Sequence, residues 1–321
     1  MKSRDRFRET MRYGQPDRVP YFEEGLRKEV LEAWRQQGMP RNFWQRFFSD
    51  PRIEIEPELD PLPPWKKTTG TWPDLSEFQK RLNPADRKRL PRSWHYLVRS
   101  LKSEDTVRML RVHRGLFLSM GVQTWERFLE LMFLLGENPD IISNAMGIQG
   151  EFAAELTEKI LAKIDIDAAI FSEPIGGNAG PLISPQMYEE VVLKNYQPLL
   201  KVLIRHGVEV IIFRTYANAR VLIPIILKYG FNCLWACEVN IEAMDYRELR
   251  REFGKDLRLI GGIALDALRH DEQAIYRELH EKIPPLLDEG GYVPLADGRI
   301  RMNVPFENYA YYRKLLCKLT Q

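Results

Sequence analysis

The chain has 321 residues, a length that suits one (β/α)8 barrel with an N-terminal extension better than a sandwich or a single doubly wound domain. Its 47 Lys and Arg residues against 45 Asp and Glu residues give a net charge of +2 without a basic block, so we expect no nucleic-acid partner. No apolar run reaches the roughly 20 residues of a membrane helix, and residues 1–10 are charged, unlike a signal peptide, which predicts a cytoplasmic protein without a membrane partner.

In the first half of the chain, predicted strands and helices alternate less regularly than in the second half. Residues 18–22 and 116–120 are predicted strands, a further strand is expected before residue 100, and residues 124–164 are predicted helix with a break at Asn138 and Pro139. Residues 50–91 hold many prolines, tryptophans and charges without a clean period. We interpret them as a long insertion near the mouth of the barrel, with a role as a lid as the hypothesis.

From about residue 165, short β-rich apolar runs alternate with stretches of helical period, as is typical of βα units around a parallel sheet. Ser184 and Asp271 are predicted N-caps of two of the helices. The predicted strands are residues 168–171, 209–213, 233–236, 257–260 and 292–295, and the predicted helices are residues 185–205, 219–229, 246–253, 271–287 and 307–319. With the upstream strands the count reaches about eight, so we predict a single α/β domain, residues 1–321, folded as a TIM barrel.

The active site of such a barrel lies at the C-terminal ends of the strands, and the residues that follow the predicted strands are mostly polar. Arg214 is the only cation among them. The carboxylates cannot all be ionised and unpaired, so pairing, a shared proton or a bound cation must balance them. The residues of this predicted mouth are Glu23, Glu24, Ser172, Glu173, Arg214, Tyr216, Cys237, Glu238, Gly261, Gly262 and Asp297.

Glu173, Glu238 and Arg214 are the candidate catalytic residues. Glu173 and Glu238 each follow an apolar strand directly, which favours a role as acid, base or metal ligand. Arg214 is able to clamp a substrate carboxylate in a bidentate manner. The structural alternative is a salt bridge between Arg214 and either glutamate, and the sequence leaves both interpretations open.

Further side chains are predicted to line the pocket or to support it. Tyr216 and Trp235 suit a pocket wall, although Trp235 suits the core equally well. Cys233 and Cys237 share one face of a strand, but their spacing is not that of common thiolate metal sites, so we expect buried, reduced thiols. The predicted substrate-binding set is Glu23, Glu24, Tyr216, Trp235 and Asn218.

Several segments of the chain resemble the uroporphyrinogen decarboxylase-like superfamily. The resemblance covers nearly the whole chain and is densest from about residue 165 to the end. Glu238 together with Asp245 is part of it. The matching segments are residues 11–20, 180–185, 246–250, 253–254, 259–263, 290–294 and 304–309. The resemblance implies a barrel enzyme.

The resemblance also favours one branch of the superfamily. True decarboxylases carry an arginine-rich segment after the first strand, which holds the porphyrinogen carboxylates, whereas here residues 21–26 read YFEEGL. Glu23 and Glu24 would repel a polyanionic tetrapyrrole. The chain is therefore more similar to the methyltransferases that move a methyl group between a small molecule and a corrinoid on a partner protein, including subunits of O-demethylases.

Those methyltransferases generally use zinc as a Lewis acid. Thiol-methylating members carry His-x-Cys where this chain has Arg214, Thr215 and Tyr216, and many relatives have a histidine where this chain has Gly298. If zinc is bound, the resemblance implies Glu173, Glu238 and Asp297 as its ligands. An oxygen-only set holds zinc less firmly than one with imidazole or thiolate ligands.

The leading expectation is a methyltransferase that takes a methyl group from a small methoxylated or N-methylated compound and passes it to a corrinoid-binding protein. One alternative is a decarboxylase (lyase) acting on a small carboxylated substrate or a porphyrinogen, with Arg214 holding a carboxylate. A second alternative is a non-catalytic barrel that binds a tetrapyrrole or a corrinoid.

Overall fold

The computed structural model describes residues 1–43, 47, 50–63, 74–239 and 242–321. Within these residues the chain forms one sheet of seven strands, all parallel and in sequential order. The strands are β1 (Arg52–Ile55), β2 (Val107–His113), β3 (Ala168–Ser172), β4 (Ile211–Tyr216), β5 (Cys233–Cys237), β6 (Arg258–Ile263) and β7 (Tyr292–Ala296). Because every pair is parallel, the carboxyl ends of all seven strands lie at one edge of the sheet.

Helices connect the strands, as the alternation predicts. Ser184 Oγ accepts a hydrogen bond from the Met187 amide and Asp271 Oδ1 from the Ala274 amide, so both predicted N-caps are confirmed. The described helices are α1 (Ser3–Met11), α2 (Lys28–Gln36), α3 (Leu75–Arg81), α4 (Trp94–Ser100), α5 (Gly115–Ser119), α6 (Trp125–Glu137), α7 (Pro139–Leu161), α8 (Pro185–Val191), α9 (Gln197–Arg205), α10 (Ile223–Lys228), α11 (Tyr246–Phe253), α12 (Glu272–Glu289) and α13 (Phe306–Leu319).

The strand predictions hold downstream of residue 165 and fail in part upstream. All five downstream strands are confirmed within a few residues. The predicted strand at 116–120 is wrong: residues 116–119 belong to α5, and the strand is Val107–His113 instead. A short apolar run does not distinguish a strand from a buried helical turn by its pattern. Residues 18–22 form no regular strand.

The sheet is curled around an apolar interior. Inward-facing side chains of β2 to β7 pack in one cluster with Phe22, and Phe7 and Met11 of α1 join the same cluster. The outward faces of the strands pack against the helices in larger clusters. A sheet whose strands share one inner cluster must bend back on itself, so the architecture is a parallel half-barrel covered by helices.

The segment 50–91, which we expected to be an insertion, contributes a strand to the sheet. Arg52–Ile55 at the start of the segment is strand β1 of the sheet, and α3 lies further on, whereas residues 64–73 lie outside the described residues. A lid role for the segment stays a prediction.

Among the described helices, none has the length and apolar character needed to span a membrane.

Candidate active site at the carboxyl edge of the sheet

A polar cavity of about 270 Å³ opens at the carboxyl edge of the sheet. Side chains at the ends of β2 to β5 line it, together with residues from the segments that precede α2 and follow β7. Its size suits a small ligand, since pockets for drug-sized ligands start at about 300 Å³. The lining residues are Glu24, Arg27, Arg111, Ser172, Arg214, Tyr216, Cys237, Glu238, Gly298 and Arg299.

Arg214 lies above a buried tryptophan at the base of this cavity. The strand register pairs Ser172 with Arg214 and Arg214 with Trp235, so the three side chains share one face of the sheet. Trp235 belongs to the interior cluster, and the Arg214 Cζ atom lies 4.3 Å from its ring centroid in a cation–π contact. Trp235 therefore supports the cavity as a core residue.

The ion-pair partners of Arg214 differ from those predicted. Its Nη1 donates to Glu54 Oε1 at 2.8 Å and its Nη2 to Glu24 Oε1 at 3.1 Å, whereas the expected pairs with Glu173 or Glu238 do not form. Burial disfavours the charged guanidinium, but Glu24 and Glu54 outweigh it and raise the Arg214 pKa. Both ends of the guanidinium are thus occupied by protein carboxylates.

Arg214 is not the only cation at this edge, so that prediction was wrong. Arg111 on β2 donates to Glu54 at 2.6 Å and to Glu56 at 2.8 Å, and Arg27 and Arg299 also line the cavity. Arg111 was missed because the strand that carries it was misplaced in sequence. Glu54 was missed because its strand lies in the predicted insertion, although the alternation Arg52-Ile53-Glu54-Ile55 is a strand pattern.

The backbone at the ends of β4 and β5 is strained. Ala217 and Glu238 have φ values of 51° and 48°, in the left-handed region that non-glycine residues rarely adopt. The Ala217 amide donates to the Cys237 carbonyl at 3.1 Å, and the Glu238 amide donates to the Asp297 carbonyl. Such strain is typical of functional sites. The Glu238 side chain lines the cavity. It is half exposed, and its Oε1 atom lies 2.6 Å from Arg301 Nη2.

Asp297 ties the strand-end loops together and does not itself line the cavity. Its carboxylate accepts hydrogen bonds from the Leu265 amide at 2.9 Å and the Val239 amide at 3.2 Å. Burial raises its pKa to about 6. The next residue, Gly298, does line the cavity, and a Cβ atom there would lie 3.2 Å from Glu238 Cγ. A histidine at this position would therefore crowd Glu238.

Glu173 lies behind the sheet, away from Glu238. Its carboxylate accepts hydrogen bonds from Tyr196 Oη at 2.6 Å, from Tyr188 Oη at 3.1 Å and from the Leu116 amide at 2.8 Å. It is fully buried, and that burial raises its pKa to about 7. The residue that faces the cavity from this strand is Ser172.

Three members of the predicted substrate-binding set lie outside the cavity lining, namely Trp235 in the core, Glu23 and Asn218. Glu23 is buried, accepts a hydrogen bond from Tyr309 Oη at 2.9 Å and has its pKa raised by burial to about 7. The Asn218 amide donates to the Gly177 carbonyl at 3.0 Å, and its side chain accepts from the Arg220 amide at 3.2 Å, so it shapes a turn. Glu24 and Tyr216 do line the cavity, as predicted.

The proposed zinc ligands are not brought together. Glu173 is held by two tyrosines, Asp297 by backbone amides and Glu238 by Arg301. In the part of the chain that the structure describes, no group of three or more His, Cys, Asp or Glu side chains is arranged to hold a metal ion. Zinc binding by this set would require the three carboxylates to leave their present partners, and it stays a prediction.

The cavity offers neutral hydrogen-bond donors beside its charges. Burial raises the Tyr216 pKa, with a smaller opposing effect from Arg214 and Arg299, and burial raises the pKa of the Cys237 thiol. Both groups therefore stay protonated near neutral pH. The three cysteines of the chain are free thiols, as predicted. Chemically, the site is able to bind an anion through guanidinium groups and to hydrogen-bond or protonate an oxygen.

No model of a known protein family matches the chain, and no curated protein matches it.

Proposed function

We propose that this chain is a methyltransferase of the uroporphyrinogen decarboxylase-like superfamily, which moves a methyl group from a small methylated donor to a corrinoid protein. The observation that carries the proposal is the small polar cavity at the carboxyl ends of the parallel strands, where Tyr216 and Glu238 meet the arginines. The sequence resemblance described above supports the reaction class. The free cysteines support a reducing compartment, the cytoplasm.

The proposal includes a closed (β/α)8 barrel in which residues 19–26 take the place of the missing strand. Phe22 belongs to the interior cluster, and the Glu23 carbonyl accepts a hydrogen bond from Arg52 Nη2 on β1 at 3.1 Å. On the other side the Ile300 amide, just beyond β7, donates to the Gly25 carbonyl at 3.1 Å. These contacts support a segment inserted between β7 and β1.

In the proposed reaction the bond between the methyl carbon and its heteroatom breaks, and the electron pair stays on the heteroatom. The reduced corrinoid on the partner protein accepts the methyl group. Tyr216, which stays protonated, is placed to hydrogen-bond the leaving oxygen, and Glu238 is a carboxylate on the same cavity lining. A cavity of about 270 Å³ suits the donor and leaves the bulkier corrinoid on its carrier protein at the mouth.

A second candidate is a lyase that decarboxylates a small carboxylated substrate. The observation that favours it is the number of arginines on the lining, because guanidinium groups recognise carboxylates. In that reaction the carbon–carboxylate bond breaks, carbon dioxide leaves, and the carbon takes up a proton, for which Tyr216 is a donor in reach of the cavity.

The test mixes the protein, a methoxylated or N-methylated donor and a reduced corrinoid protein, and follows the absorbance change on methylation of the acceptor. We expect methyl transfer, with kcat about a hundredfold lower in Glu238→Gln, since proton transfer and the negative charge are lost. Carbon dioxide release from a carboxylated compound without methyl transfer would favour the lyase. Binding of free cobalamin without turnover of any donor would favour the non-catalytic barrel.

A further inference from the structure

Arg27 and Arg299 both lie on the rim of the cavity. Both are exposed, and both contribute to its lining. A parallel bridge joins their neighbours Leu26 and Ile300. In extended backbone, adjacent side chains point to opposite faces, and Ile300 is buried in a core cluster. Arg27 and Arg299 therefore project from the other face, toward the cavity.

The charges at the base of the cavity are already balanced. Three arginines and three glutamates form a network there. Each arginine is buried or partly buried and pairs with at least one of the glutamates. Glu238 is paired with Arg301 at 2.6 Å. The members of the balanced network are Arg52, Arg111, Arg214, Glu24, Glu54 and Glu56.

Arg27 and Arg299 are different. Among the residues that the structure describes, neither has a carboxylate within ion-pair distance. Two positive charges thus remain over one small cavity. Bringing like charges together is unfavourable unless an anion is shared between them, and planar guanidinium groups bind carboxylate and phosphate oxygens in a bidentate manner.

We propose that Arg27 and Arg299 are the anion-recognition residues of the site and that its ligand is a small dianion, such as a dicarboxylate or a phosphate monoester. The inference rests on the proposed function in one respect, that the cavity is the substrate site. It assigns substrate recognition to the rim arginines and a supporting role to Arg214, whose guanidinium is held by Glu24 and Glu54.

The test is isothermal titration of the purified protein, at fixed ionic strength, with succinate, glutarate, inorganic phosphate and the monoanion butyrate. We expect at least one dianion to bind tenfold or more tightly than butyrate. Arg27→Gln and Arg299→Gln should each weaken that binding by tenfold or more, and should weaken butyrate binding by a smaller factor. Arg269→Gln is the matched control, because Arg269 is an exposed arginine paired with Asp266. Preference for phosphate over both dicarboxylates identifies the phosphate class.

Equal binding of dianions and butyrate, absence of dianion binding, or unchanged dianion binding in both rim variants would overturn the inference. Circular dichroism confirms that the variants are folded, which is expected for exposed positions. The methyl-transfer assay is separate from this titration. Dianion binding that depends on the rim arginines, without methyl transfer, removes only the proposed function. Transfer from a monoanionic donor that neither variant impairs removes only this inference.

Discussion

Glu54 on β1 accepts a hydrogen bond from Arg214 on β4, with 2.8 Å between Glu54 Oε1 and Arg214 Nη1. The pair spans the interior of the curled sheet directly beneath the cavity, and both side chains are largely buried. Removal of one partner leaves the other charged and desolvated, which costs more than an exposed ion pair is worth.

Arg214→Ala should therefore lower the free energy of unfolding by about 3 kcal/mol, because Glu24 and Glu54 lose their shared partner. Arg214→Lys should cost less, about 1 kcal/mol, since the charge remains and the two-pronged contact is lost. Urea denaturation measures both. The control is Arg205→Ala at an exposed ion pair with Glu158, for which a change below about 0.5 kcal/mol is expected. An equally small effect of Arg214→Ala would contradict the buried network.

Substitution of Arg214 also shows whether this residue supports the cavity or binds the substrate directly. With both ends of the guanidinium occupied by Glu24 and Glu54, Arg214→Lys should change KM for a donor by less than threefold, roughly 0.6 kcal/mol. A clamp on the substrate would instead lose about one to two orders of magnitude in kcat/KM. Steady-state kinetics with the donor found in the methyl-transfer assay decides between the two.

Glu238 combines backbone strain with a place in the cavity. At φ +48° a glutamate is strained and a glycine is not, so Glu238→Gly should be more stable than Glu238→Ala by about 0.5 to 1 kcal/mol. Both variants should lose activity together with the carboxylate. Melting temperature and turnover are the measurements. Equal stability of the two variants would show that the strained turn relaxes, and full turnover in either would remove Glu238 from the reaction.

Glu173 makes stability depend on pH. Its pKa is about 7 in the folded chain against 4.5 for an ordinary glutamate, so between these pH values the folded chain binds more protons than the unfolded chain. The contribution of Glu173 to the free energy of unfolding should then fall by about 3 kcal/mol as pH rises from about 4.5 to about 7. Glu23 and Asp297, whose pKa values are also raised, act in the same direction. His113 acts in the opposite direction, because burial lowers the pKa of its imidazole to about 3 and the unfolded chain then binds the extra proton below about pH 6.5.

Glu173→Gln should remove this contribution, so its free energy of unfolding should rise relative to that of the native chain from pH 5 to pH 8, measured by urea denaturation at pH 5, 6, 7 and 8. It should be less stable than the native chain at pH 5, because Gln offers one oxygen acceptor where Tyr188 and Tyr196 both donate. Glu32→Gln, at an exposed position of α2, is the control and should leave the pH dependence unchanged. A pH dependence that is the same in the native chain and in Glu173→Gln would show that Glu173 is ionised at its usual pKa.

Gly115 is constrained by the same glutamate. Its φ is +76°, and a Cβ atom at this position would lie 2.4 Å from Glu173 Oε1. Gly115→Ala should cost about 2 kcal/mol or more, since it adds a strained backbone conformation to a clash with a buried carboxylate. Gly136→Ala, where the added Cβ meets nothing, is the control and should be neutral or stabilising. Chemical denaturation of both variants checks the difference.

The prediction of the fold succeeded where the pattern was local and strong. The five strands after residue 165 are each a short β-rich run followed by a helical period, and the structure has all five. It failed at 116–120, where an apolar run of five residues is compatible with either element, and Gly115 turns the chain into α5 instead. Strand β1 was hidden in a segment whose composition suggests an insertion.

The sequence by itself determined the alternation of strands and helices, the caps at Ser184 and Asp271, and the fact that polar residues follow apolar strands. These depend on neighbours within a few residues, which the sequence displays directly. Only the tertiary structure decided which side chains meet. Ser172 faces the cavity and Glu173 the helices because successive residues of a strand point to opposite sides. Arg214 pairs with Glu54, 160 positions away in the sequence, because the curled sheet places β1 and β4 on opposite sides of the same interior.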